Sequence, residues 1–306
     1  MTQKGTESSV RNTGSVAGLM ILAMAQFLIA LDYSIVYIAL PSIGDDLRLT
    51  ESSLQWVVSG YAVFFAGFLV VGGRASDRFG ARTLFVGAML LFGVAALAGG
   101  FASGPWALLA ARAAQGVAAA ILQPSILALI NTTFAAGPQR TRALSVWGTV
   151  GASGLAAGVV IGGLLATASW RWVFFINLPL AIICALAAPR YLAKASAQER
   201  ERVPLNIPSA VLCTATVLAA ALALTQASNV GWGHVSTLAG LGVSAALLAA
   251  FIAQERRSSQ PLVDPLLRRT RSLVVGCAAT ALYMASVGNQ FFVVTLLLQQ
   301  IRGYGP

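Results

Sequence analysis

Nine apolar segments, each followed by a polar turn or loop, leave this chain of 306 residues few ways to fold. They cover about 16–40, 54–71, 83–103, 106–130, 143–166, 172–188, 207–225, 235–253 and 272–298. Roughly 20 apolar residues in a helix are enough to cross the hydrocarbon core of a bilayer. An isolated strand in lipid would leave its backbone polar groups unpaired, so runs of this length are expected to be helices. Hydrophobic residues make up 57% of the chain and charged residues only 10%. A soluble domain carries about 25% charged residues, which marks this chain as having too few to coat a water-facing surface. The expected class is an all-α polytopic membrane protein.

The formal net charge of +10 invites a nucleic-acid reading. The basic residues, however, are scattered between apolar blocks rather than gathered on one domain, so no nucleic-acid partner is expected. Their distribution instead sets an orientation. With the N-terminus inside, 16 of the 20 Lys and Arg fall on inner segments, and only Arg48, Arg171 and Arg302 fall outside. That bias places the N-terminus in the cytoplasm and the chain in the cytoplasmic, or inner, membrane of a cell. The first 15 residues are polar and are expected to be mobile. The apolar run that follows is about 25 residues and contains an aspartate, which does not suit a cleavable signal.

Cys184, Cys213 and Cys277 all lie in apolar segments with no metal-ligand spacing, so they read as small buried hydrophobes. His234, in the outer loop Gly231-Trp-Gly-His234, has no acidic or nucleophilic neighbour. No cofactor, metal or enzyme activity is expected.

Two long polar loops divide the chain. Arg190–Pro208, with Glu199 and Glu201, closes a set of six spans, and Gln254–Arg271, with Pro261 and Pro265, closes a further pair. The expected domains are residues 1–190, an inserted two-span linker at 191–260, and a third region at 261–306. The final Arg302-Gly-Tyr-Gly-Pro306 is a turn signature straight after an apolar span, so a further helix is expected beyond it. Gly72–Arg82, Ser103–Pro105 and Ala135–Arg142 read as tight connections, rich in Gly, Pro or charge.

Two charges stand inside spans: Asp32 in the first and Arg112 in the fourth. A charge in hydrocarbon costs at least a few kcal/mol, and such residues mark ion or substrate paths by default. Asp32 is eight residues before Leu40 and Arg112 six after Trp106. At 1.5 Å per residue these depths are roughly 12 Å and 9 Å below the outer surface, so the two can pair if their helices are neighbours. Gln115 is one turn from Arg112 on the same face, and Gln26 and Gln123 add polar groups deeper in. In the second connection, three arginines flank Asp77, a setting for charge-assisted bonds that lock helix ends. In the fifth span, Gly154, Gly158 and Gly162 recur every four residues and form a face that another helix can approach closely.

Together these motifs resemble the major facilitator superfamily and, within it, the 14-span drug:proton antiporter branch. Leu31-Asp-Tyr-Ser-Ile-Val-Tyr-Ile-Ala-Leu-Pro41 is similar to that branch's first-span motif, in which the aspartate is functional. Gly73, Asp77, Arg78, Gly80 and Arg82 match the family's loop motif, which acts as a cytoplasmic gate, with Ala75 in place of the usual leucine. Arg112, Gln115 and Gly116 match the fourth-span motif, whose arginine is implicated in proton coupling. Gly154 to Gly163 resembles the antiporter motif, with Val159 where proline is usual, and Ser169 to Pro179 is also typical of the branch.

The resemblance implies a major facilitator fold: a six-span N-terminal bundle, an inserted helix pair, and the first helix of a C-terminal bundle that is cut short. It implies proton-coupled efflux of small hydrophobic or cationic drugs by the full-length parent. The implied proton- and substrate-binding set is Asp32, Tyr33, Arg112, Gln115 and Gln123, with Gly154, Gly158, Gly162 and Gly163 packing helices. The partners implied are protons, a small-molecule substrate and the lipid bilayer. The 306 residues are expected to need a missing C-terminal half, since alternating access takes two bundles. The alternatives are a metabolite:proton symporter on the same fold, or a truncated remnant that does not transport.

Overall fold

The computed structural model describes residues 3–193, 206–258, 261–262, 270–287 and 297. These residues form ten helices: α1 (Gln3–Leu47), α2 (Glu51–Phe79), α3 (Ala81–Gly100), α4 (Pro105–Thr133), α5 (Pro138–Ala168), α6 (Trp172–Phe175), α7 (Asn177–Tyr191), α8 (Ile207–Val230), α9 (Val235–Arg257) and α10 (Arg271–Val287). With α6 and α7 counted as one span, eight are long and apolar enough to cross a membrane. The ninth expected segment, 272–298, is described as helix to Val287; the rest of it, residue 297 apart, lies outside the described residues, as does Arg302–Pro306. Helix α1 begins at Gln3, so the polar start continues as helix, and the apolar span within it is Val16–Leu47.

The chain divides into two compact units, Met1–Val203 and Pro204–Pro306. In the first unit the tightest partnerships are α1 with α5 and α2 with α4. Helix α3 joins α4 to α7, and α7 returns to α1. The interior has two apolar clusters. One includes Leu22, Leu28, Phe85, Met89, Phe92, Leu122, Ile126 and Cys184, all buried. The other includes Ile35, Val36, Ile43, Val57, Leu108, Val173 and Phe174. On α1, α4 and the α6–α7 pair, the residues between the two clusters are Asp32, Arg112, Gln115 and Asn177. Those buried polar groups thus form a layer between two dry ones.

The connection expected at Gly72–Arg82 is corrected by the structure. Helix α2 runs through Gly72 and Gly73 to Phe79, and Gly80 alone makes the turn into α3, at φ 91°. Glycines suit both tight turns and tight packing, and sequence alone does not separate the two uses. Here Gly72 packs on the backbone of α4, where a Cβ would strike the Ala120 carbonyl, while Gly80 takes the left-handed turn. Likewise α5 begins at Pro138, inside the connection expected at Ala135–Arg142.

Trp170 Nε1 and Arg171 NH1 both donate to Asp46 Oδ2, at 2.9 and 2.7 Å, fixing the end of α1 to the start of α6. In the second unit α8 and α9 form a hairpin turned at Gly231, φ 94°. Asn206 caps α8 by accepting from the Ser209 N–H, and His234 caps α9 by accepting from Ser236. Gly240 lets α9 close on Ala223 of α8.

Candidate functional site

The polar layer is built from three helices. Helix α4 carries Arg112 in its N-terminal third and Gly116 one turn later. A Cβ at Gly116 would collide with the Tyr61 carbonyl of α2, so glycine brings the two backbones together. That approach lets Arg112 Nε donate to the Val57 carbonyl at 3.0 Å and sets its guanidinium over the Tyr61 ring, 4.5 Å from the centroid.

From this anchored position Arg112 NH1 donates to Asp32 Oδ2 at 2.7 Å and to Gln115 Oε1 at 2.9 Å. Gln115 Nε2 donates in turn to Asp32 Oδ1 at 2.8 Å, which closes a ring of three side chains. Asn177, at the start of α7, adds a second donor to Oδ1 at 2.8 Å. The exposures are 0% for Asp32, Gln115 and Asn177 and 1% for Arg112. A buried carboxylate is tolerated when hydrogen bonds satisfy most of its lone pairs and an opposite charge touches it; here three donors reach Asp32, one of them Arg112.

The remaining expected residues lie elsewhere. Tyr33 turns to an aromatic group, accepting from the Tyr37 hydroxyl at 3.2 Å, with the Tyr61 ring 6.3 Å away. Gln123 is eleven residues along α4 from Arg112. That is roughly 16 Å at helical rise, which is out of reach of Asp32. Its Oε1 and that of Gln26 are buried without a partner among the described residues. Gln26 and Gln123 thus stay deeper than the charge pair, as their spacing along the helices indicates, and Gln123 does not join the set around Asp32. Asn177 was not singled out, although it is the one strongly polar side chain in the segment 172–188.

The fifth-span glycines meet α1. A Cβ at Gly154 would lie 2.8 Å from the Phe27 carbonyl, and one at Gly162 3.0 Å from Ile35 Cγ1. At Gly158 it would overlap Ser34 Oγ. Gly163 is half-buried, one position round from that face, and α5 is continuous past Val159. At the opposite ends of the helices from Asp46, Gly73 packs near Pro124, and Arg78 lies 5.8 Å from the Phe79 ring. Arg82 NH1 donates to the carbonyls of Pro189 and Leu192, each at 3.1 Å, binding the start of α3 to the end of α7. Asp77 is exposed in the last turn of α2, with the charge of Arg74 acting on it from one turn earlier.

This chain is 37% identical to the cephamycin export protein CmcT of Amycolatopsis lactamdurans, over 98% of its own length and 62% of that protein's. It is 39% identical to the puromycin resistance protein pur8 of Streptomyces alboniger, over 94% of this chain and 57% of the relative. It is 34% identical to the tetracenomycin C resistance and export protein of Streptomyces glaucescens, over 94% and 53%. The chain thus spans a little over half the length of these relatives. Among solved structures, the peptide transporter POT in complex with sulfate superposes with a TM-score of 0.53 at 17% identity, covering 79% of this chain and 53% of that one. The proton:xylose symporter XylE gives 0.52 at 12% identity, over 81% and 55%. At such identities these two establish the fold alone, an all-helical one. The family model for the Major Facilitator Superfamily matches residues 22–306, and the chain belongs to that superfamily of membrane transporters.

Proposed function

We propose that this chain is the N-terminal portion of a proton-coupled exporter of small hydrophobic or cationic drugs, of the 14-span antiporter branch. The bundle of residues 1–190 works against a second bundle, and residues 191–260 are the inserted pair of spans. The inner-membrane location and cytoplasmic N-terminus rest on the distribution of Lys and Arg. Export of antibiotics is supported by relatives named for exporting cephamycin and tetracenomycin C.

The observation that carries the proton-coupled reading is the buried Asp32–Arg112 pair. Asp32 is the one carboxylate of this layer, and taking up a proton would neutralise it and release its hold on Arg112. A cationic substrate would compete for the same carboxylate. Competition of proton and substrate for one site is what exchange of the two requires. Gln115, bonded to both partners, holds the pair in register.

The test is uptake of a fluorescent cationic dye into proteoliposomes of the full protein containing this bundle, driven by an imposed pH gradient. Asp32→Asn should abolish gradient-driven movement while the protein still folds and inserts. Full retained transport would remove Asp32 from the coupling step.

A further inference from the structure

We infer that Asn177 is a positioning residue that reports the protonation of Asp32 to the sixth span by inverting its side-chain amide. The inference rests on the reading of Asp32 as the proton site.

The three groups around the carboxylate are not equally free to respond. Arg112 NH1 uses its two hydrogens on Asp32 and Gln115, and Nε is held by the Val57 carbonyl. Gln115 uses both ends of its amide, Nε2 on Asp32 and Oε1 on Arg112, so inverting it would set two donors against each other. Asn177 is different. Its Nδ2 donates to Asp32 Oδ1 at 2.8 Å and to the Val173 carbonyl at 3.2 Å. Its Oδ1 is buried with no partner among the described residues. A buried acceptor left empty needs an explanation, because nearly all such groups are satisfied.

A proton supplied from water and bound at Asp32 would give this acceptor a partner. Oδ2 remains against Arg112, so the proton goes to Oδ1, which until then accepts from two amide nitrogens. A protonated oxygen is itself a donor and faces both of them. Gln115 is pinned by Arg112. Asn177 alone offers, within the same side chain, an acceptor that can replace its donor. Rotation of the amide exchanges Nδ2–H···Oδ1 for O–H···Oδ1 of Asn177, and loss of the proton reverses it.

Asn177 is well placed to pass this on, since it opens α7 directly after the interruption at Ile176 that divides the sixth span. Inversion also breaks the bond to Val173, the last tie of this side chain to α6. The other titratable or charged groups around Asp32 are Arg112 from α4, Tyr61 from α2, and Tyr33 and Tyr37 from α1 itself. Helix α5 offers its glycine face.

Difference infrared spectroscopy of the purified chain in lipid, between neutral and acidic buffer, tests this. We expect a protonated-carboxyl band that disappears in Asp32→Asn. With it we expect an asparagine C=O band that moves to lower frequency, as its oxygen gains a hydrogen bond, and that is lost in Asn177→Leu. Should that variant misfold, isotopically labelled asparagine in the unsubstituted protein shows that the shifting band belongs to an asparagine, and loss of the shift in Asp32→Asn ties it to Asn177, the asparagine bonded to Asp32. A carboxyl band from Asp32 with no asparagine shift overturns the inference and leaves Asn177 a fixed strut. Absence of any Asp32 band at every pH sinks the inference together with the proton reading.

Discussion

Helix α1 meets two of its neighbours, α5 and α4, in opposite ways. Against α5 it presents backbone to backbone: Phe27, Leu31 and Ile35 lie where Gly154, Gly158 and Gly162 leave no side chain between the helices. Against α4 the packing is far slighter, and Asp32 meets Arg112 and Gln115 across a gap filled by polar groups. The first contact is made of dispersion forces and admits only one spacing, because any Cβ at Gly158 overlaps its neighbour. The second is made of charge and hydrogen bonds in a dry layer, and its strength depends on whether Asp32 carries a proton. One seam is therefore built to hold and the other to change.

The largest effect should come from breaking the changeable seam on one side only. Arg112→Leu leaves the Asp32 carboxylate buried with two amide donors and no opposite charge. Removing one member of a buried pair costs about 3–5 kcal/mol. Thermal unfolding in detergent should show a large fall in midpoint, and adding Asp32→Asn should restore most of it by discharging the stranded group. If the double variant is as unstable as the single one, the loss comes from packing of the arginine stem, and the contrast between the seams fails.

The holding seam should tolerate no side chain. Gly158→Leu forces α1 and α5 apart, with overpacking costs of about 1–3 kcal/mol. Gly148→Leu, one end of the same helix but exposed with nothing within 4 Å, should lie within about 0.5 kcal/mol of the parent. Equal losses at both positions would mean that the α5 glycines set helix flexibility rather than the spacing to α1.

The contrast also separates what a sequence reader could see from what stayed hidden. The glycine ridge was legible because a period of four is a property of one helix, and one helix is local. The common depth of Asp32 and Arg112 was legible for the same reason, by counting residues from the outer ends. What joins them laterally was not. Asn177 sits in a segment without charges and becomes informative only when α7 packs against α1. Gly72 and Gly80 lay in one glycine-rich stretch, although the first is used to approach Ala120 and the second to turn.

The smallest effect on the bundle, and a separate one on transport, is expected at Asp77. Its carboxylate lies in the last turn of α2, where the helix dipole is negative and an anion is disfavoured by roughly 0.3–1 kcal/mol. Arg74 and Arg78 nearby offset part of that, so within the bundle Asp77 does little for stability. Asp77→Asn should leave the unfolding midpoint unchanged or slightly raised. A latch that closes on cytoplasmic helix ends acts in one transport state only, so its loss alters the balance of states and slows turnover with little change in substrate affinity. Stability measured on the purified bundle and turnover measured in proteoliposomes of the full protein should therefore part company. Turnover that follows stability, or does not move at all, would reduce this region to a basic helix end with an incidental carboxylate.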